Sequence, residues 1–411
     1  MIAIPWYLLK EPDGKLLVTT LSATVTLASM FWGLYAGTLI DRYNRKKIFL
    51  SLNVVDAFVL LGISAIGFYW GGLPFALVAT VYTATIFTYN IHFPNVYAFV
   101  QELFEPSMYS KVNSALEIQH QTTSFLGMMI GGFLLDGSPN WDWWPMWLQF
   151  EPWPLHQIFL MDGSTYVLAF LFISQIPYTP DPDKRVDRGA IAQRLKQGFA
   201  YLNDNRPILT FGIASYVVFF AMIVIIHVAM PIYVMDYLQE QAAVLSSFKG
   251  IYSLGAVAAG LLGLSFLFKR GNLIRQVTFL VALGGILFWV LALTQSVWVT
   301  LMVAFVLGIC NAATRILRIT YLVRTVPNYV IGRVNAFFTV INVLMRVTFM
   351  GLLTLPFFSA DENGDNIVYA MGLLGISLFV AAVVLIVNFR RFDHRQAQHE
   401  EMEERELAGP G

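Results

Sequence analysis

The sequence predicts an all-α integral membrane protein, and three observations lead to this fold class. First, 57% of the 411 residues are hydrophobic and only 13% are charged, whereas a soluble domain carries about 25% charged residues. Second, the chain contains eleven long apolar runs, and a helix needs roughly 20 apolar residues to cross a bilayer. Third, short basic loops separate several of these runs. The chain is therefore too apolar for a water-exposed globular fold.

The predicted spans form two groups around the segment 178–206. The runs are 16–40, 48–69, 73–101, 110–135 and 156–177 before it, and 207–235, 248–268, 273–294, 296–322, 332–358 and 367–389 after it. Residues 1–9 are also apolar but too short to span alone, so we interpret them as the end of a truncated first helix. With that helix, six spans precede the segment and six follow it.

Basic residues are concentrated on one predicted side of the membrane. That side includes the loops 41–47, 178–206 and 269–275. The other side holds only Lys10, Lys15 and Lys249. Because lysine and arginine near span ends remain in the cytoplasm, we expect a multi-pass protein of the plasma membrane, in a bacterium the inner membrane, with a cytoplasmic C-terminus.

This topology predicts four regions. They are an N-terminal helical half (1–177), a cytoplasmic linker (178–206), a C-terminal helical half (207–391) and a cytoplasmic tail (392–411). Apolar residues recur at helical spacing within the linker, at Ile191, Leu195, Phe199 and Leu202. We expect an amphipathic helix there, lying on the inner leaflet, which either ties the halves together or acts as a regulatory lever.

An internal repeat supports two equivalent halves. The sequence Lys-Val-Asn-Ser-Ala from Lys111 is similar to Arg-Val-Asn-Ala-Phe from Arg333, and each copy follows a Pro-containing loop and opens an apolar helix. Repeats in the same orientation are related by an axis along the membrane normal. The pattern therefore indicates two six-helix halves related by a parallel repeat.

The loop 41–47, which we term the basic loop, carries a motif that begins one turn earlier. Its members are Gly37, Asp41, Arg42, Arg45, Lys46 and Lys47. The Gly-x-x-x-Asp-Arg-x-x-Arg-Lys spacing resembles the loop between helices 2 and 3 of major facilitator superfamily transporters. Together with the segments 4–9, 194–207 and 326–335 it resembles the macrolide-efflux and enterobactin-exporter type. The resemblance implies the major facilitator fold, with the first helix of this chain truncated.

The resemblance also implies a gating role for the motif. Asp41 would hold the cytoplasmic faces of the two halves together in the outward-open state, against the helix N-terminus near Gly332, where a carboxylate is favourable. Gly37 would allow close helix approach. Arg42, Arg45, Lys46 and Lys47 are expected to anchor the topology or to act as gate partners. In the helix 110–135, Gly132 stands where antiporters of this type have proline, which leaves the exchange direction open.

Ionisable residues inside predicted spans are costly and are therefore candidates for coupling or substrate binding. Asp56 either serves in coupling or pairs with the basic loop beside it. Glu117 and His120 share a helix face and either exchange a proton or form a structural ion pair. Arg346 stays protonated and must face water, an acid or an anionic substrate, and we expect it to meet Glu117 across the two halves.

Four further polar residues are candidates for the lining of a transport path: Asn90, His92, His227 and Asn342. Each either contacts substrate or forms a hydrogen bond between helices. Arg315 and Arg318 lie near the end of the run 296–322, and we expect both to extend to the inner headgroups.

The sequence favours a transporter over an enzyme. It has no Gly-x-x-x-x-Gly-Lys-Ser/Thr loop for ATP, no His-Glu-x-x-His, a single cysteine, Cys310, and no basic patch for nucleic acid. We expect no metal and no cofactor. The predicted function is proton-coupled export of a small amphipathic molecule by alternating access, by a monomer in the lipid bilayer. The alternatives are a lipid or lysolipid translocator and a membrane binding protein that does not transport.

Overall fold

The computed structural model describes residues 3–104, 108–137, 149–178, 191–262, 272–361 and 364–392. Across these ranges the chain is helical and contains no β-strand. Large apolar side chains lie exposed on the helix surfaces, among them Phe58 and Leu293 at 78% and Phe172 at 71%. Exposed apolar surface on this scale suits contact with lipid rather than water.

The helices follow one another along the chain with short connections. In order they are α1 (Ala3–Leu9), α2 (Gly14–Arg42), α3 (Arg45–Trp70), α4 (Phe75–Leu103), α5 (Tyr109–Asp136), α6 (Leu155–Ser174), α7 (Ile191–Asp204), α8 (Arg206–Tyr237), α9 (Ala242–Leu262), α10 (Leu273–Leu293), α11 (Val297–Thr325), α12 (Asn328–Leu352), α13 (Pro356–Ser359) and α14 (Ile367–Val387). Helix α8 contains two π-helical turns, Ile225–Ala229 and Tyr233–Tyr237.

Nine helices within the described ranges are long and apolar enough to cross a membrane: α2, α3, α6, α8, α9, α10, α11, α12 and α14. Helices α4 and α5 cover the remaining two predicted spans, 73–101 and 110–135. The chain therefore has a helix at each of the eleven predicted spans. One of them ends early, because α12 stops at Leu352 before Pro356, and proline does not continue a helix.

The structure corrects the predicted position of Lys249. Helix α9 begins at Ala242 rather than at residue 248, so Lys249 lies inside the helix and is 3% exposed. The Asp136 carboxylate accepts hydrogen bonds from the backbone N–H groups of Ala242 and Ala243, which stabilises the earlier start. A lysine expected at the outer end of its span is thus a buried residue about two turns inside the helix.

The first compact unit comprises Met1–Arg188 and Glu240–Ser247. Its most extensive helix contact joins α3 to α6, and α2 packs on α4. A Cβ at Gly67 of α3 would come within 2.4 Å of the His156 Cβ of α6, so the two helices approach closely. Ser64 also donates a 2.7 Å hydrogen bond to the backbone oxygen of His156. Side chains that face each other between α3 and α6 are therefore held in fixed positions.

The second compact unit comprises Gly189–Gln239 and Phe248–Gly411. Within it, α10 packs on α14 and α11, and α8 packs on α11, α12 and α14. Helices α9 and α11 approach closely, because a Cβ at Gly308 would lie 2.1 Å from the carbonyl oxygen of Tyr252. This packing gathers α8, α9, α11 and α12 into one unit.

The second unit also contains α7, from the predicted linker. It packs on α12, where a Cβ at Gly198 would lie 2.4 Å from the carbonyl oxygen of Arg333. The rings of Phe199 and Phe337 are 5.5 Å apart at the same contact. Helix α7 is thus attached to a membrane-spanning helix. Its position on the inner leaflet and the four predicted regions remain predictions.

Candidate functional site

Two carboxyl groups of the first unit interact electrostatically, one on α3 and one on α6. Asp56 is 3% exposed, and its carboxyl group interacts electrostatically with that of Asp162. Tyr166 of α6 interacts with both. Thr88 donates a 2.9 Å hydrogen bond to Asp56 Oδ1, whereas Oδ2 is buried without a hydrogen-bond partner among the described residues. Protonation of either carboxyl group removes the repulsion between the two carboxylates.

The sequence prediction did not include Asp162, although an acid inside an apolar run is itself a signal. Asp162 is exposed on α6 and borders a cavity of about 40 Å³ together with Tyr82 and Thr85. A cavity of this size can hold water. For Asp56, the two predicted roles were coupling and pairing with the basic loop. Its neighbours in the structure are Thr88 and Asp162.

The basic loop is attached to the rest of the first unit by two cations. Arg45 Nε forms an ion pair with Glu102 Oε1 of α4 at 3.1 Å. Lys46 Nζ donates hydrogen bonds of 2.8 Å and 2.6 Å to the backbone oxygens of Ser174 and Ile176, where α6 ends. A cation is favourable at a helix C-terminus. Arg45 and Lys46 therefore stabilise the fold of this unit, and their gating role stays a prediction.

For several predicted site residues the structure describes the helix but not the surroundings of the residue. They are Gly37, Asp41, Arg42 and Glu117. The remaining member of the motif, Lys47, lies in the first turn of α3, where its backbone N–H donates a 2.9 Å hydrogen bond to Asn44 Oδ1. The predicted gate at Asp41 and the predicted pair between Glu117 and Arg346 stay predictions.

His92 of α4 and His120 of α5 meet around Phe93. The Phe93 ring centroid is 4.9 Å from that of His120 and 5.5 Å from that of His92, and the two imidazoles interact electrostatically. Asn90 instead donates a 2.8 Å hydrogen bond to Ile86 within its own helix. The structure thus brings the two histidines together and leaves Asn90 bonded to α4.

Three basic side chains from different helices form what we term the cation cluster: His227 of α8, Lys249 of α9 and Arg346 of α12. His227 interacts electrostatically with both Lys249 and Arg346. The side chain of Lys249 is 3% exposed and has no hydrogen bond or ion pair within the described part of the chain. Arg346 Nε is buried there without a hydrogen-bond partner. The sequence prediction included His227 and Arg346 but assigned Lys249 to the outer end of its span.

Arg318 is a cation of the second unit with a different environment, and its predicted position was wrong. It is 4% exposed, its guanidinium carbon lies 3.6 Å from the ring centroid of Tyr216, and Nη1 donates a 3.2 Å hydrogen bond to the Ser215 carbonyl oxygen. The contact between α8 and α11 supplies this aromatic face, so the side chain does not extend to the headgroups.

Asn342 donates a 3.4 Å hydrogen bond to the Tyr216 carbonyl oxygen and joins α12 to α8.

An apolar pocket of about 680 Å³ lies among α8, α12 and α14 in the second unit. The pocket is open on one side rather than enclosed. Phe220, Phe349 and Ser377 contribute to its lining. Phe349 follows Arg346 by three residues on α12, and this spacing places the two on neighbouring positions of the helix surface.

Comparisons with known proteins agree with this architecture. The sequence profile of the Major Facilitator Superfamily matches residues 1–350. The chain is also similar to "Uncharacterized MFS-type transporter YkuC" of Bacillus subtilis (strain 168), with 20% identity over 407 residues that cover 94% of this chain and 88% of the relative.

Two solved structures show the same fold. A D-xylose-proton symporter superposes with a TM-score of 0.67 at 14% identity, covering 93% of this chain and 92% of that one. The nucleoside transporter NupG superposes with a TM-score of 0.65 at 14% identity, covering 94% and 96%. The predicted major facilitator fold is thereby confirmed.

Proposed function

The chain belongs to the major facilitator superfamily, and we propose that it uses the proton gradient to export a small amphipathic molecule by alternating access. Its family and fold are those of membrane transporters. Export is supported by the resemblance of segments 4–9, 37–47, 194–207 and 326–335 to the macrolide-efflux and enterobactin-exporter type. Absence of enzymatic activity, cofactor and metal stays a prediction.

The pair Asp56 and Asp162 is the observation that carries proton coupling. Asp162 is exposed next to a cavity that can hold water, and Asp56 is buried with one oxygen lacking a hydrogen-bond partner within the described residues. Protonation of either carboxyl group changes the charge of the pair. Because a buried charge is costly in a membrane, this change favours one conformation over another.

The apolar pocket beside α12 supports an amphipathic substrate. Its lining is dominated by apolar side chains, and the cation cluster supplies polar groups on α8, α9 and α12 in the same unit. The same pocket favours one alternative, a lysolipid translocator, because an open apolar pocket can accept an acyl chain. Competition by lysophosphatidylcholine would identify that alternative.

The gate and the orientation are further parts of the proposal. Asp41 stabilises the outward-open state, so Asp41→Asn should reduce transport and leave substrate binding unchanged. The loops 41–47 and 269–275 and the C-terminus face the cytoplasm of a bacterial cell, and the protein acts as a monomer in the inner membrane. Cysteine labelling from outside at Ser138 but not at Asn44 is the expected pattern.

Inside-out membrane vesicles test the proposed function. Vesicles that contain the protein are given an acidic interior and incubated with an anionic, a cationic and a neutral amphipathic probe: 2-naphthalenesulfonate, ethidium and N-phenyl-1-naphthylamine. We expect the wild type to accumulate at least one probe and to release it when a protonophore collapses the gradient. Accumulation that persists without the gradient, or that matches vesicles without the protein, would contradict the proposal.

A further inference from the structure

We propose that the cation cluster binds the anionic group of the transported molecule, so that the substrate class is an amphipathic oxyanion bearing a sulfonate, phosphate or carboxylate. This inference rests on the proposed transport function and adds a substrate class to it. The three side chains are His227, Lys249 and Arg346, from three helices of the second unit.

Within the described residues, the second unit has few acids that could pair with these basic side chains. Helices α9, α10, α11, α12 and α14 contain no aspartate or glutamate. The acids of this unit within the described ranges lie at helix ends and in one loop: Asp204, Asp236, Asp361 and Asp365. Because clustered like charges repel in a medium of low dielectric constant, a bound anion would stabilise the charged forms of these basic side chains.

The chemistry of the three side chains fits an oxyanion. Arg346 offers a planar fork of donors, including the buried Nε without a hydrogen-bond partner in the described chain, and such a fork matches carboxylate and phosphate oxygens. Lys249 adds a compact charge. His227 donates from Nδ1 to the Ile223 carbonyl oxygen at 2.9 Å, which directs Nε2 to other partners.

The position of His227 is a second indication of a ligand site. It lies in the π-helical turn Ile225–Ala229 of α8, and π-helical turns inside α-helices occur often at functional sites. Arg318 shows what a structural cation of the same unit looks like, because it stacks on Tyr216 and donates to Ser215. The side chains of Lys249 and Arg346 make no such contacts with the described residues, which distinguishes the cation cluster from a packing element.

Binding to the full-length protein in dodecyl maltoside tests the inference by isothermal titration calorimetry. The probes are 2-naphthalenesulfonate and its neutral isostere 2-naphthalenesulfonamide. We expect the wild type to prefer the sulfonate. Lys249→Met and Arg346→Gln should each weaken sulfonate binding by about tenfold or more, since each removes a charge-assisted hydrogen bond. The control Arg324→Gln removes an exposed cation of α11 and should bind as the wild type does.

Thermal melting separates a ligand site from a structural pair inside the chain. The sulfonate should raise the melting temperature of the wild type but not of Lys249→Met, because a ligand stabilises the state that binds it. Without probe, Lys249→Met should melt at the same temperature or higher, since it removes a buried charge. A lower melting temperature without probe would show that Lys249 has a counterion in the chain and would overturn the inference, as would equal binding of the two probes.

Further probes identify the source of the anion. Tighter binding of lysophosphatidate than of 2-naphthyl phosphate assigns the site to an anionic lipid, and the reverse assigns it to a soluble anion.

The inference and the proposed function fail separately. Charge-selective binding without proton-driven accumulation keeps the anion site and removes the transport proposal, whereas accumulation of the neutral probe alone keeps transport and overturns the anion site.

Discussion

The two compact units differ in the charge of their polar interiors. The first unit places Asp56 beside Asp162 between α3 and α6, and the second unit gathers His227, Lys249 and Arg346 on α8, α9 and α12. In the first unit an acid has an acidic neighbour, and in the second unit basic side chains have basic neighbours. Since such an arrangement opposes folding, it indicates sites for a mobile partner: a proton in the first unit and an anion in the second.

The same two units remain alike where the chain turns at the membrane surface. Asn44 Oδ1 accepts a hydrogen bond from a backbone N–H in the first turn of α3 at 2.9 Å. Asn272 Oδ1 accepts corresponding bonds at the start of α10, at 3.0 Å and 3.3 Å. An asparagine thus caps the start of a helix in both units, whereas the ionisable side chains in their interiors differ.

The largest expected effect concerns the acid pair of the first unit. Asp56→Asn keeps an oxygen that can accept the Thr88 hydrogen bond but cannot carry the proton, so gradient-driven accumulation should fall to the level of vesicles without the protein. Probe binding should stay unchanged. Asp162→Asn should have the same effect, and Thr88→Val a smaller one. Full accumulation by Asp56→Asn would show that the acids of this unit do not couple transport.

The next effect tests whether the acid pair depends on the close approach of α3 and α6. Gly67→Ala should lower the free energy of unfolding by about 1–3 kcal/mol, because its Cβ overlaps His156. Gly62→Ala is the matched control on the same helix, since nothing lies within 4 Å of its Cβ. Titration with sodium dodecyl sulfate measures the free energy of unfolding of both variants. Equal stability of the two variants would contradict the observed contact.

A third substitution sharpens the distinction between the two kinds of cation in the second unit. Arg318→Met removes the contact with Tyr216 and the hydrogen bond to Ser215, so we expect a loss of about 1–3 kcal/mol in unfolding free energy. Binding of 2-naphthalenesulfonate should be unchanged. Thermal melting measures the stability and calorimetry the binding, both on the same sample. A loss of binding without a loss of stability would place Arg318 in the anion site.

The smallest expected effect concerns the basic loop. The ion pair between Arg45 and Glu102 is partly buried, with 11% and 14% of the two side chains exposed. Arg45→Gln removes the charge but can still donate a hydrogen bond to Glu102, so we expect a cost of about 1 kcal/mol. A double-mutant cycle with Glu102→Gln isolates the pair. Strictly additive losses would mean that the pair contributes nothing to the first unit.

Much of the fold could be predicted from the sequence, because the length of an apolar run sets whether a helix can cross a bilayer. The structure has a helix at each predicted span, and the helix ends are where the predictions deviate. Helix α9 begins at Ala242 because Asp136, more than 100 residues earlier, accepts hydrogen bonds from its first N–H groups. A contact between distant residues of this kind leaves no local sequence pattern.

The candidate site was predicted in part, for a related reason. The cost of a charge inside a span identified Asp56, His227 and Arg346 as candidates, but it does not reveal which side chains face them. Asp162 joins Asp56 only through the packing of α3 on α6. Lys249 joins the cation cluster only once the true start of α9 is known.

Calorimetric titration of 2-naphthalenesulfonate into the wild type, Asp56→Asn and Lys249→Met most directly tests the assignment of separate sites to the two units. Asp56→Asn should bind the probe with wild-type affinity, because its change lies in the first unit. Lys249→Met should bind about tenfold or more weakly, since it removes a cation from the cluster. Unchanged affinity in Lys249→Met together with a loss in Asp56→Asn would contradict a proton site in the first unit and an anion site in the second.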